Sequence, residues 1–191
     1  MDEGSSEADA LAMARLQAGD DLALNELMGR WKQPLAGYLL RQLGGHEDAL
    51  DLTMETFVRI YESRQRYVPA ARFARWLFTI ATNLARNHVR WKQRHPEVTL
   101  EAEEGEESPM DNMADAAPNA GKQMETRERA RAVRNAIADL PPDLRTAILL
   151  FEYEGLSHAE IATVEGCSAK AIETRLYRAR QALEQTLAHL I

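Results

Sequence analysis

Apolar residues recur at three- and four-residue intervals along almost the whole chain, and no segment alternates apolar with polar over the length of a strand. The pattern predicts an all-α protein. A first helix is expected from about Ser6 to Ala18, stopped by Gly19, with Asp20 or Asp21 placed to cap the next. Leu22, Leu27, Trp31, Leu35, Tyr38, Leu39 and Leu43 form the apolar stripe of a second segment, which Pro34 either kinks or restarts and Gly44-Gly45 ends. A third helix is expected over about Glu47 to Arg64, and a fourth over about Ala71 to Gln93. Helical spacing resumes at about Lys122, breaks at "DLPPD", and continues over about Pro142 to Tyr153.

Between the fourth and fifth segments the pattern disappears. Residues 96–121 carry Glu97, Glu101, Glu103, Glu104, Glu106, Glu107, Asp111 and Asp115, no Lys or Arg, three prolines and few large apolar side chains. Such a stretch cannot bury enough surface to fold by itself. The expected architecture is therefore two small helical domains, 1–95 and 122–191, joined by a flexible acidic linker, 96–121.

Charge sharpens this picture. The net charge of -7 is concentrated in the linker and in the first ten residues, which leaves 11–95 distinctly basic. An acidic total is thus no argument against a nucleic-acid partner. No apolar run approaches membrane-spanning length, and the acidic start does not resemble a signal peptide, so a cytoplasmic protein without membrane insertion is expected. The single cysteine, Cys167, and five scattered histidines offer no metal-ligand spacing, and neither a metal nor a cofactor is expected. The short stretch after the last helix is expected to leave no room for a further C-terminal domain.

"LSHAEIATVEGCSAKAIETRLYRARQAL", Leu156 to Leu183, carries the most specific local signal. Ser157 and Glu160 have capping-box spacing, Gly166 supplies a left-handed turn residue, and Ser168 can cap a second helix directly afterwards. Two helices joined so tightly make a helix-turn-helix. At roughly 100° per residue, Ile172, Leu176, Ala179 and Leu183 share the core side of the second helix. Lys170, Thr174, Tyr177, Arg178 and Gln181 fall opposite, flanked by Glu173, Arg175 and Arg180. That face combines groups able to read base edges with cations able to hold phosphates.

From Arg64 to His95 there is no acid, while arginines and Lys92 alternate with Tyr67, Phe73, Trp76, Phe78 and Trp91. Cations that follow a backbone, with rings on which unpaired bases stack, suit single-stranded nucleic acid. Asn83 and Asn87 add hydrogen-bonding groups for an extruded base. Phe73, Trp76, Leu77, Ile80 and Leu84 are equally spaced as a core stripe, so the rings divide between packing and stacking, with Tyr67 the harder one to assign to packing. Upstream, "EDALDLTMETFVRIYE" sets Asp48, Asp51 and Glu55 on one helical face, a set more suited to a partner-binding or solvated face than to a metal.

Taken together, these stretches resemble the extracytoplasmic function (ECF) sigma factors of the sigma-70 family, the promoter-specificity subunits of bacterial RNA polymerase. "DALDLTMETFVRIY" resembles the family's polymerase-docking segment, "FARWLFTIATNLARNHVRWKQR" the segment that melts and reads the -10 element, and "LPPDLRTAILLFEYEGLSHAEIATVEGCSAKAIETRLYRARQAL" the module that reads the -35 element. The resemblance implies polymerase contacts at Asp48, Asp51, Met54 and Glu55. It implies contacts with the -10 region at Tyr67, Arg75, Trp76, Asn83, Arg86, Asn87, Arg90 and Lys92. Contacts with the -35 region follow at His158, Lys170, Ala171, Thr174, Arg175, Tyr177, Arg178 and Arg180. Met54 stands where relatives commonly carry Gln, and Glu173 where many carry Lys or Arg.

The implied partners are core RNA polymerase, promoter DNA and an anti-sigma factor, and no catalytic activity is implied. A stand-alone helix-turn-helix regulator is the main alternative, and a metal-dependent nuclease built on Asp48, Asp51 and Glu55 a remote one. The acidic linker fits two roles, a polyanion held by basic walls inside the polymerase or a plain soluble tether.

Overall fold

Pro34 does not interrupt its helix. In the computed structural model, which describes residues 3–69, 72–95 and 120–188, α2 (Leu22–Leu43) runs unbroken through it. A proline removes one ladder hydrogen bond, and the side chains on both sides of this one, Leu27, Trp31, Leu35, Tyr38 and Leu39, are all buried. That burial outweighs the lost bond. Leu22 departs from the expected stripe, being 71% exposed at the start of the helix.

α2 forms the axis of the first half, with α1 (Glu3–Gln17), α3 (His46–Ser63) and α4 (Phe73–Arg94) packed around it. Gly44 ends α2 in the left-handed conformation that an L side chain rarely adopts, at φ 80°, and its N–H donates to the Leu40 carbonyl. The core is rich in rings. The Phe78 ring lies edge-on to Trp31 and Tyr38, with centroids 6.2 and 5.2 Å away, and the buried Tyr38 hydroxyl shares a 2.8 Å hydrogen bond with Thr82. α1 is fixed by a buried polar contact, in which the Asp9 carboxylate accepts from Trp31 Nε1 at 2.9 Å and from Arg30 Nε at 2.7 Å.

The second half contains α5 (Ala120–Ala138), α6 (Pro142–Glu152), α7 (His158–Glu165) and α8 (Ala169–Leu187). Among the described residues all regular structure is helical. Pro142 begins α6, where its missing N–H costs nothing. Ile137, Leu140, Leu149, Leu150, Ile161, Val164, Ile172 and Leu176 make this half's core. The expected linker, 96–121, lies outside the described residues except for its last two positions, which begin α5.

The two halves are in contact. α4 packs on α7, α2 reaches α5 and α6, and the buried apolar residues of both halves form one continuous cluster. No described helix is long and apolar enough to cross a membrane.

Candidate nucleic-acid interface

The turn between α7 and α8 is built as its residues dictate. The Ser157 N–H donates to the Glu160 carboxylate at 2.9 Å, and the Glu160 N–H donates back to Ser157 Oγ at 3.3 Å. Burial pushes the Glu160 carboxyl up, but the Ser157 hydrogen bonds and the nearby Arg72 outweigh it and hold the group below its ordinary value. Gly166 ends α7 at φ 66°, and Ser168 Oγ accepts the Ala171 N–H at 3.2 Å to start α8. With Ile172, Leu176 and Ala179 buried beneath, Lys170, Thr174, Tyr177, Arg178 and Gln181 emerge on one exposed face.

That face is partly organised already. Lys170 pairs with Glu173 at 2.8 Å, and Gln181 donates to the Tyr177 hydroxyl at 2.8 Å. Tyr177 is 63% exposed although it is aromatic, and Arg178 stands exposed beside it. Ala171 lies half-buried in the first turn, and the His158 ring at the start of α7 lies tilted against Phe151, with centroids 5.2 Å apart.

Arg175 and Arg180 do not join this face. Arg175 is drawn inward to Glu165 at 2.8 Å and lies 3.4 Å from Asp143. Arg180 pairs with Glu152 at 2.8 Å and lies over the Phe151 ring. Both were expected among the residues facing DNA, and in this structure both tie α8 to the elements behind it. The sequence places these acids in other helices, so spacing along α8 alone could not reveal the pairings.

On α4, Asn83, Asn87 and Arg90 are exposed, and Arg75 and Trp76 are half-buried. Tyr67 differs from expectation. It is buried, 5.2 Å from the Trp76 ring and 6.3 Å from Phe73, because the turn Arg64–Arg66 folds it beneath the start of α4. Burial raises its hydroxyl pKa. A ring so enclosed is part of the core and offers no stacking surface. Gln17 holds this turn by donating to the carbonyls of Arg64 and Tyr67 at 2.9 and 3.0 Å, a contact with no signature in the sequence.

Arg86 and Lys92, also expected to face nucleic acid, are engaged within the protein. Arg86 meets Glu165 of α7 at 2.5 Å, and Lys92 meets Asp48 of α3 at 2.5 Å, with His88 also 3.2 Å from Asp48. Burial pushes the Asp48 carboxyl up, and the Lys92 and His88 contacts outweigh it and hold it below its ordinary value. Asp48 therefore turns toward α4, away from the outer face of α3.

That outer face carries Asp51, exposed, with Glu55, half-buried and paired to Arg59 at 2.7 Å. Met54 is 45% exposed and sits between Leu50 and Val58, at 42% and 48%. Leu50 and Val58 were missed by the sequence reading, although their spacing of four residues on either side of Met54 is the signal that finds them. The result is an apolar ridge bordered by acids, the makeup of a protein-docking surface. Among the described residues no group of three or more His, Cys, Asp or Glu side chains converges as a metal site. With Asp48 turned away, the nuclease alternative loses the set on which it was based.

Comparison with known proteins matches both halves. The family model for sigma-70 region 2 matches residues 27–95, and that for sigma-70 region 4 matches residues 130–183. The RNA polymerase sigma-H factor of Pseudomonas aeruginosa is 32% identical, covering 98% of this chain and 97% of its own. The ECF RNA polymerase sigma-E factor of Haemophilus influenzae is also 32% identical, covering 96% of this chain and 97% of its own. Among solved structures, CnrH in complex with the cytosolic domain of CnrY aligns with a TM-score of 0.70 at 26% identity, covering 95% of this chain and 98% of that one. The sigma factor RpoE from Bartonella quintana, in complex with the anti-sigma factor NepR, shares the fold, with a TM-score of 0.64 at 22% identity over 86% of this chain and 96% of that one.

Proposed function

Because this chain belongs to the ECF sigma factors of bacterial RNA polymerase, directing the core enzyme to specific promoters, we propose a division of that work among its helices. Residues 1–95 dock on the polymerase and hold the opened -10 strand, residues 122–191 read the -35 duplex, and the acidic stretch 96–121 connects them. The docking surface is the outer face of α3, centred on Asp51, Met54 and Glu55, with Leu50 and Val58 completing it.

Asn83, Asn87 and Arg90 supply the polar contacts to the melted strand, with Arg75 and Trp76 beside them. Lys170, Thr174, Tyr177 and Arg178 read base edges in the major groove, supported by Ala171 and His158 at the rim. Arg86, Lys92, Arg175 and Arg180 reach DNA only where their internal ion pairs open. The factor works in the cytoplasm, catalyses nothing itself, and is open to control by an anti-sigma factor, as RpoE from Bartonella quintana is bound by the anti-sigma factor NepR.

The observation that carries this reading is the pairing, in one chain, of a capped helix-turn-helix bearing a polar reading face with an exposed apolar ridge bordered by acids on α3. A stand-alone regulator needs only the first. The test is size-exclusion chromatography with purified core polymerase. Co-elution at stoichiometric amounts supports the sigma reading, and separate elution together with tight duplex binding by the chain alone supports the regulator.

A further inference from the structure

The reading face of α8 contains one acid. Between Ser168 and Leu183 every charged side chain but Glu173 is cationic. Glu173 is exposed, just past the first turn of the helix, and stands beside Lys170. Residues near the N-terminus of the second helix of a helix-turn-helix are those that meet base edges. At roughly 100° per residue, Glu173 falls about 40° from Tyr177 and about 60° from Lys170, at the border of the face that carries Thr174 and Gln181.

A carboxylate on a surface that meets DNA is repelled by phosphates and by most of what the major groove displays. The groove presents acceptors at guanine N7 and O6, adenine N7 and thymine O4, and donors only at cytosine N4 and adenine N6. Glu173 is therefore a liability opposite every base edge except an amino group. It stays ionised for that contact, because the hydrogen bond from Lys170, and behind it the Lys170 charge, hold its carboxyl below the ordinary value.

Lys170 completes the match. Its Nζ donates to Glu173 Oε2 at 2.8 Å, which leaves Oε1 to accept from a base and leaves the ammonium two further hydrogens. Donor and acceptor thus sit side by side at hydrogen-bond distance. A C·G pair presents the complementary set at the same spacing, since cytosine N4 and guanine O6 are themselves hydrogen-bonded at about 2.9 Å, and guanine N7 is a second acceptor for the ammonium. An A·T pair also offers a donor beside an acceptor, but it sets adenine N7, an acceptor, next to the carboxylate and the thymine methyl next to the ammonium.

We propose that Glu173, braced by Lys170, is a specificity-determining residue of the -35 contact, its carboxylate accepting from cytosine N4 while the Lys170 ammonium donates to O6 and N7 of the paired guanine. One C·G pair is then selected twice, by a matched donor and acceptor and by repulsion of the alternatives. This inference rests on the reading of α8 as the -35 helix for the place of the base pair. An ion pair at this spacing also forms on helices that meet only water, where it has no bearing on base preference. The two cases differ in what substitution of Glu173 does to one position of the DNA.

The test is selection from a promoter duplex randomised over its -35 region, with the bound fraction sequenced. Holoenzyme is assembled from core polymerase and the full chain as wild type, Glu173→Gln or Glu173→Arg, and a parallel selection uses each chain alone, in low salt, with a fully randomised duplex. Gln and Arg are strong helix formers at an exposed position, so α8 is kept. Wild type should enrich cytosine at one position by about fivefold or more over each other base. Glu173→Gln should move the preference there to adenine and Glu173→Arg to guanine, the bases those side chains pair with, while the other positions keep theirs. No cytosine-selective position in the wild type, a profile that both variants leave unchanged, or a uniform loss of binding without a change of base would overturn the proposal. Enrichment by the chain alone but not by holoenzyme would fail the sigma reading and leave the Glu173 result standing, and no enrichment in either selection would overturn both.

Discussion

Replacing Glu154 by glutamine should stabilise the protein at neutral and alkaline pH. Glu154 lies in the turn between α6 and α7, is 4% exposed, and has its carboxyl pushed up to about 7 by burial, with Arg41 offsetting only part of the effect. In the unfolded chain the group returns to its ordinary value near 4.5. Between these two values the folded protein holds a proton that the unfolded chain has released, so stability falls as pH rises through the window and levels off above about 7. At about 1.4 kcal/mol per pH unit of displacement, the accumulated loss is about 3 kcal/mol, an upper figure because local relaxation lets water reach the charge. Glutamine keeps the shape and cannot ionise. Urea unfolding of both proteins at pH 5, 6, 7 and 8 should give a gap that grows from about 1 kcal/mol or less at pH 5 to as much as about 3 kcal/mol at pH 8 in favour of Glu154→Gln. Titration of other groups cancels in the difference. A constant gap across the range, or a variant that is less stable at pH 8, would refute the reasoning.

Three other perturbations probe separate parts of the account. Asp9→Ala strips the buried partner from Trp31 Nε1 and the ion pair from the partly exposed Arg30, and should cost about 1–3 kcal/mol in urea unfolding, as leaving a buried donor unsatisfied does. Arg178→Ala should lose about 1–3 kcal/mol of discrimination between matched and mismatched -35 duplexes in holoenzyme binding, whereas Asn83→Ala should leave that discrimination intact and alter selectivity on pre-melted -10 templates. Asp51→Arg reverses a charge on the outer face of α3 and should reduce co-purification with core polymerase, without changing the thermal midpoint of the free chain.

Local features were legible in the sequence because each is determined within a few residues. The Ser157–Glu160 box, the left-handed Gly166 and the Ser168 cap appear as expected, since their hydrogen bonds span no more than four positions. The buried side of α8 follows equally directly from helical spacing. Partners distant in sequence were not legible. Arg86, Arg175 and Arg180 read as free cations on their own helices, yet Glu165 and Glu152 claim them across 79, 10 and 28 residues.

Tyr67 illustrates the same limit for an aromatic ring. A residue before a helix can face solvent or fold beneath it, and the choice rests on Gln17, 50 positions away. Pro34 shows the converse, a strong local signal overridden by the burial of Trp31, Leu35 and Tyr38. The exposed apolar ridge on α3 was half seen, because Met54 was read as a substitution within a motif, while Leu50 and Val58 were not read as its neighbours.

The central claim is that this chain confers promoter selectivity on core RNA polymerase, and run-off transcription measures it most directly. Purified core polymerase incubated with fragments of the source genome should yield discrete transcripts from a small set of start sites only when the chain is added, and Arg178→Ala and Asp51→Arg should each reduce them. Transcripts no different from those of core polymerase alone, from a chain that nevertheless binds promoter duplex tightly by itself, would contradict it.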